Sequence, residues 1–130
     1  MTATTTVYRV ECPKCGLGPY ASGWECASAH VHRDADRLVD AHNDQTHPGP
    51  VEDIPGITWS NLYDQHRDHR VCGLDSPEAL WAWFGDWLPR LIDRGFEVTS
   101  WQVPERHVRR GKRQLMFRRD LATDRTVLPL

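Results

Sequence analysis

The chain has 130 residues, 39% of them hydrophobic and 9% aromatic, with six Trp, so it can hold one domain or two very small ones and is too apolar to be wholly disordered. Lys and Arg number 16 against 18 Asp and Glu, a net charge of −2, which excludes both a uniformly basic nucleic-acid coat and an acidic nucleic-acid mimic. The start, MTATTTVYRVEC, has neither a basic flank nor an apolar h-region, and no run reaches the roughly 20 apolar residues of a membrane span; a soluble, cytoplasmic chain with no membrane partner is expected.

Val7-Tyr8-Arg9-Val10 reads as a strand and leads into Cys12-Pro13-Lys14-Cys15-Gly16, a tight C-x-x-C-G turn. Such a turn points two sulfurs at one ion, because the glycine accepts the backbone conformation that the knuckle demands. Gly16, Gly18, Pro19 and Gly23 then suit a β-hairpin, and residues 26–45 are rich in helix formers. That stretch leads to His42 and His47, a spacing that lets two imidazoles at a helix C-terminus share a metal. The pattern C-x2-C-x26-H-x4-H therefore predicts a hairpin-plus-helix module over 1–47 holding one tetrahedral Zn²⁺ through Cys12, Cys15, His42 and His47.

The middle gap is far longer than the roughly twelve residues of the usual two-Cys, two-His finger, and it contains other donors. Cys26 and His30 are one helical turn apart, so Cys12, Cys15, Cys26 and His30 form a rival ligand set. A redox role for the C-x-x-C pair would call for a βαβ setting, which the glycine turn does not offer.

Residues 48–57 contain three prolines and two glycines, which predicts an extended connector between the zinc module and a second unit over 58–130. After a polar stretch from Trp59 to Arg70, Ser76-Pro77-Glu78 starts a helix: a serine cap, a proline in the first turn and an acid beside it. Leu80, Trp83, Phe84, Trp87, Leu88, Leu91 and Ile92 follow at helical spacing as one buried face. Pro89 predicts either two helices, about 76–84 and 87–94, or one helix kinked near Gly85, with Gly95 ending it. Residues 96–103 and 113–119 read as strands, and Arg110-Gly111 supplies a turn. The expected fold is α+β, with a kinked helix packed on a two- or three-stranded antiparallel sheet in the second unit and the tryptophans in its core.

No catalytic motif stands out. His66-Arg67-Asp68 spells a kinase triplet without the glycine-rich loop or metal-binding partners that would give it meaning. His66, His69 and Cys72 recur every three residues and could form a second metal site. Charge is more telling. Residues 1–57 hold eight acids and four bases, net −4, whereas 105–130 hold three acids and eight bases, net +5. Arg106, Arg109, Arg110, Lys112, Arg113, Arg118 and Arg119 gather on one predicted hairpin, the footprint of a nucleic-acid or acidic-protein partner, or of ion pairs with the acidic first unit.

The C-x-x-C-G turn, alanine-rich helix and terminal His42-x4-His47-Pro48 resemble the zinc-finger-like modules of small actinobacterial bacteriophage proteins. The run from Ser76 to Phe84, the Leu91-to-Val98 segment and Gln114-Leu115-Met116-Phe117 are similar to a pattern in small phage proteins. The resemblance implies a phage origin and no particular activity. These readings lead to a zinc-stabilised, non-enzymatic binding protein that docks on a host protein through aromatic and basic surfaces, with nucleic acid as the alternative partner and a small metal-dependent enzyme as the second alternative.

Overall fold

The computed structural model describes residues 3–20, 35–42, 44–58 and 70–129. In chain order they form β1 (Thr4–Glu11), α1 (Ala35–Ala41), a single-turn α2 (Pro50–Asp53), β2 (Arg70–Gly73), α3 (Pro77–Phe84), α4 (Trp87–Asp93), β3 (Glu97–Pro104), β4 (Val108–Arg110), β5 (Leu115–Arg118) and β6 (Thr123–Val127). The strands make two antiparallel sheets, ordered β1-β3-β6 and β2-β5-β4. The fold is α+β, as expected, but with two three-stranded sheets rather than one sheet of two or three strands.

The first strand is where the architecture departs most from expectation. Instead of folding back on its own hairpin, β1 pairs along its whole length with β3, from Thr4 opposite Pro104 to Glu11 opposite Glu97. The pairing buries both faces of β1. Val10 lies beside Val98 in a core with Leu38, Leu80, Phe84, Leu88, Leu91 and Phe96, so α1, α3 and α4 cover one side. Val7 lies beside Trp101 in a second core with Val71, Val103, Leu115 and Phe117, shared by the two sheets. Each fully buried Leu or Phe contributes about 1.5–3 kcal/mol, so a strand that touches both cores is held strongly.

The sheets meet at Tyr8 and Leu74, whose backbones exchange two hydrogen bonds of 2.8 Å. Gly73 allows this approach, because a Cβ there would stand 2.8 Å from the Tyr8 carbonyl oxygen. β1 thus joins β3 on one edge and reaches β2 on the other. The two expected units share this framework, and the sheets do not divide at residues 48–57.

The connector is corrected too. Pro50 sits in the first turn of α2, where its missing N–H costs nothing, and Ile54 and Ile57 are buried against Met116. The helical pair is as expected: the Ser76 side chain accepts from Ala79 N at 3.0 Å, α3 ends at Gly85, and α4 runs from Trp87. Among the described residues, no helix is long and apolar enough to cross a membrane.

Candidate metal centre and basic hairpin

Cys12 through Gly16 forms the expected turn. Cys12 N donates to Leu17 O at 2.9 Å, Gly16 N donates to Cys12 O at 2.8 Å, and Gly16 has φ of +74°, which suits a residue without a Cβ. The Arg119 guanidinium packs on Gly16, and Arg9 donates to its carbonyl at 2.8 Å. Both cysteines pack against the helical core, Cys12 fully buried and Cys15 half-buried, and neither is in a disulfide.

His42 and His47 also come together, but as a stack. Their rings are nearly parallel, 3.8 Å apart. Trp83 Nε1 donates to Tyr20 Oη at 2.7 Å, and that hydroxyl, 2.5 Å from His42 Nδ1, is left to donate to the imidazole. His47 Nε2 donates to the Trp83 carbonyl at 2.5 Å, while its Nδ1 faces Asp44 Oδ1 at 3.0 Å. Burial first, then the neighbouring His47, push His42 down to about 4, so it is neutral at neutral pH. Hydrogen bonds from Thr46 and His47 hold Asp44 down at about 2.

Trp83 and Trp87, expected in the core, are half-buried instead: Trp83 edges onto His47 at 5.0 Å and Trp87 onto His42 at 6.4 Å. The helical face is wider than one core can cover, so Leu80, Phe84, Leu88 and Leu91 fill the interior and the indoles flank the histidines.

The Cys pair and the His pair are each formed, but they do not join into one ligand set: among the described residues, no group of three or more His, Cys, Asp or Glu side chains is placed to hold a metal ion. Both ring nitrogens of His47 face protein partners. Cys26 and His30 of the rival set, and His66 and His69, lie outside the described residues. Cys72 lies on β2 beside Ile54, Ile57 and Met116, and burial pushes its thiol up to about 11.

The basic hairpin is β4–β5, with Val108 opposite Phe117 and Arg110 opposite Leu115. Three of its cations are committed internally. Arg110 pairs with Glu105, Arg118 with Asp120 at 2.6 Å, and Arg119 with Glu11 at 2.9 Å. Arg106, Arg109, Lys112 and Arg113 remain exposed and have no ion pair among the described residues. The turn itself carries an anion already. The Asp53 carboxylate accepts from the backbone N–H groups of Lys112, Arg113 and Gln114 at 2.9 to 3.2 Å.

Glu11, which was not among the expected site residues, is fully buried at the end of β1. It is 3.3 Å from Arg9 Nε, accepts from Arg119 and Arg125, and also accepts from Trp101 Nε1 at 3.1 Å and Thr99 Oγ1 at 3.2 Å. Burial pushes its carboxyl up, yet Arg119 and Arg9 together with the Trp101 N–H outweigh burial and hold it below the ordinary value. The signal was a charged pair at i and i+2 in a strand, which places Arg9 and Glu11 on one face with Val7.

Between α3 and the hairpin turn lies a cleft of about 280 Å³ lined by Ala79, Ala82 and Trp83 on one wall and Arg110, Lys112 and Arg113 on the other. No curated protein and no solved structure matches the chain. The family model described as Bacteriophage T4 Y00F protein matches residues 1–130, and the chain belongs to that bacteriophage protein family.

Proposed function

We propose that this phage protein is a non-enzymatic docking module that takes an acidic segment of a host protein into the cleft between α3 and the β4–β5 turn. The observation that carries this reading is the pairing of walls: Ala79, Ala82 and Trp83 face Lys112 and Arg113, both exposed and without ion pairs among the described residues. An acidic chain with occasional apolar side chains satisfies both walls at once, and Trp and Arg are the residue types that most often anchor interfaces. A nucleic-acid coat fits less well. With Arg110, Arg118 and Arg119 already paired, only four cations of the hairpin are left for phosphates, beside a molecule of net charge −2.

Titration with poly-L-glutamate and with duplex DNA at low ionic strength tests the reading through Trp fluorescence. Saturable binding of polyglutamate, weakened about tenfold in Lys112→Gln/Arg113→Gln, is expected. No binding of the acidic polymer by folded protein, or tighter binding of DNA with a log–log salt slope near −3.6 (about 0.9 for each of four phosphates), overturns it.

The cysteine turn supports a structural zinc as part of the same module. The glycine knuckle suits two Zn–S bonds, and with His47 engaged on both sides the rival set of Cys12, Cys15, Cys26 and His30 is favoured over His42 and His47. Elemental analysis of purified protein is expected to give about one Zn²⁺ per chain, lost in Cys12→Ser and Cys26→Ser and retained in His42→Ala. Loss in His42→Ala with retention in Cys26→Ser restores the first set, and metal-free folded protein removes the zinc altogether.

A further inference from the structure

The outer face of the second sheet carries a row of cations that the docking cleft does not use. Register places Arg70 directly opposite Arg118, and His107 ends the short helical turn just ahead of β4. One step along the same face, Arg109 lies opposite Met116. The alternation of β5 explains the arrangement: Leu115 and Phe117 point into the core shared by the sheets, which turns Met116 and Arg118 to the other face. Ile54 and Ile57 cover Met116, and beyond their edge Arg70, Arg106, His107, Arg109 and Arg118 surround a cavity of about 150 Å³.

We infer that this cavity binds a phosphate group. Its described lining contains four arginines and a histidine and no Asp or Glu. Asp120 fixes Arg118 from the side, through Nε at 3.2 Å and Nη2 at 2.6 Å. Arg106 and Arg109 have no ion pair among the described residues, and Arg109 makes only a 3.5 Å contact to the Gly56 carbonyl. Guanidinium forks match the oxygens of a phosphate better than a point charge does. The volume selects a group rather than a molecule: it lies well below the roughly 300–1,000 Å³ of small-molecule sites, so the rest of the ligand stays outside.

Titration of the full chain with inorganic phosphate, at ionic strength held constant with sodium chloride, tests the inference by amide chemical shifts. Saturable shifts are expected at residues 106–109 and 116–118. Arg106→Gln/Arg109→Gln is expected to weaken binding about tenfold, and Arg109→Lys, which keeps the charge and loses the fork, by less. Lys112→Gln/Arg113→Gln, which disables the docking cleft, leaves phosphate affinity unchanged, so this site and the cleft can fail separately. Phenyl phosphate and a thymidine dinucleotide separate the sources: tighter binding of the monoester assigns a terminal phosphate, and equal binding assigns a nucleic-acid backbone. Shifts that never saturate, or an affinity unchanged in folded Arg106→Gln/Arg109→Gln and Arg109→Lys, overturn the inference.

Discussion

At Glu11 three arginines from separate parts of the chain converge on one carboxylate that water does not reach. Arg9 comes from the same strand, Arg119 from the turn after β5 and Arg125 from β6, so the ion cluster ties the two ends of the sequence together. Removing one member of a buried pair leaves its partners charged and uncompensated, which costs about 3–5 kcal/mol. Glu11→Gln keeps acceptors for Trp101 and Thr99 but strands the guanidiniums, and a drop of that size in urea-unfolding free energy is expected at pH 7. The pH dependence has a definite sign. The folded carboxyl titrates below its ordinary value of 4.5, so its contribution is complete above that value and is lost as pH falls through the depressed folded one. The stability gap between the wild-type chain and Glu11→Gln should therefore narrow below about pH 4.5. A gap that stays constant down to pH 3 would show that the charge of Glu11 is not what holds the cluster.

The β4–β5 hairpin shows which elements the sequence made legible and which it hid. Its second strand and the two helices before it follow from local signals, alternation, Ser76 ahead of Pro77 and Gly95 after α4, whereas β4 carried no such signal and the strand read over 96–103 pairs with β1 and β6 instead of β5. What closes the turn is an acid from 60 residues away, because Asp53 reaches the N–H groups of Lys112, Arg113 and Gln114. Gly111 leaves room for it, since a Cβ there would collide with the Asp53 carboxylate. In sequence, Asp53 reads as a solvated linker acid, as nothing within its own segment announces a distant donor. The partner of β1 was hidden for the same reason: Val7 and Val10 fit any apolar strand, and only the assembled fold selects Trp101 and Val98. The cysteine turn was legible because its glycine and spacing are local; the stacked histidines were not, because Asp44 and the Trp83 carbonyl hold the His47 nitrogens and the Tyr20 hydroxyl meets that of His42. Asp53→Ala is expected to cost about 1–3 kcal/mol and to speed hydrogen exchange at residues 112–114 before the rest of β5. Exchange unchanged at those amides would mean that the turn holds without its carboxylate.

For the whole molecule, the decisive question is whether the prolines at 48–57 separate two folding units. They would do so if each side kept its own core, but β1 lies between the sheets, bound to β3 along eight residue pairs and to Leu74 on its other edge. Without it, Val98, Trp101 and Val103 of β3 lose the strand that covers them, and Val71, Leu115 and Phe117 lose the contact with Val7. A fragment of residues 58–130 would also lose Leu38 from the helical core and Ile54 and Ile57 from the face of Met116. Each of these truncations of a buried contact costs on the order of 1–3 kcal/mol, and a small domain has roughly 5–15 kcal/mol in all. Residues 58–130 expressed alone are therefore expected to lack a cooperative thermal transition and the near-ultraviolet circular dichroism of packed tryptophans. Adding a synthetic peptide of residues 1–57 in excess should restore both, because the missing strand is supplied in trans and binding shifts the folding equilibrium. A fragment that melts cooperatively by itself would place the cores wholly within the C-terminal residues and reduce β1 to an added edge.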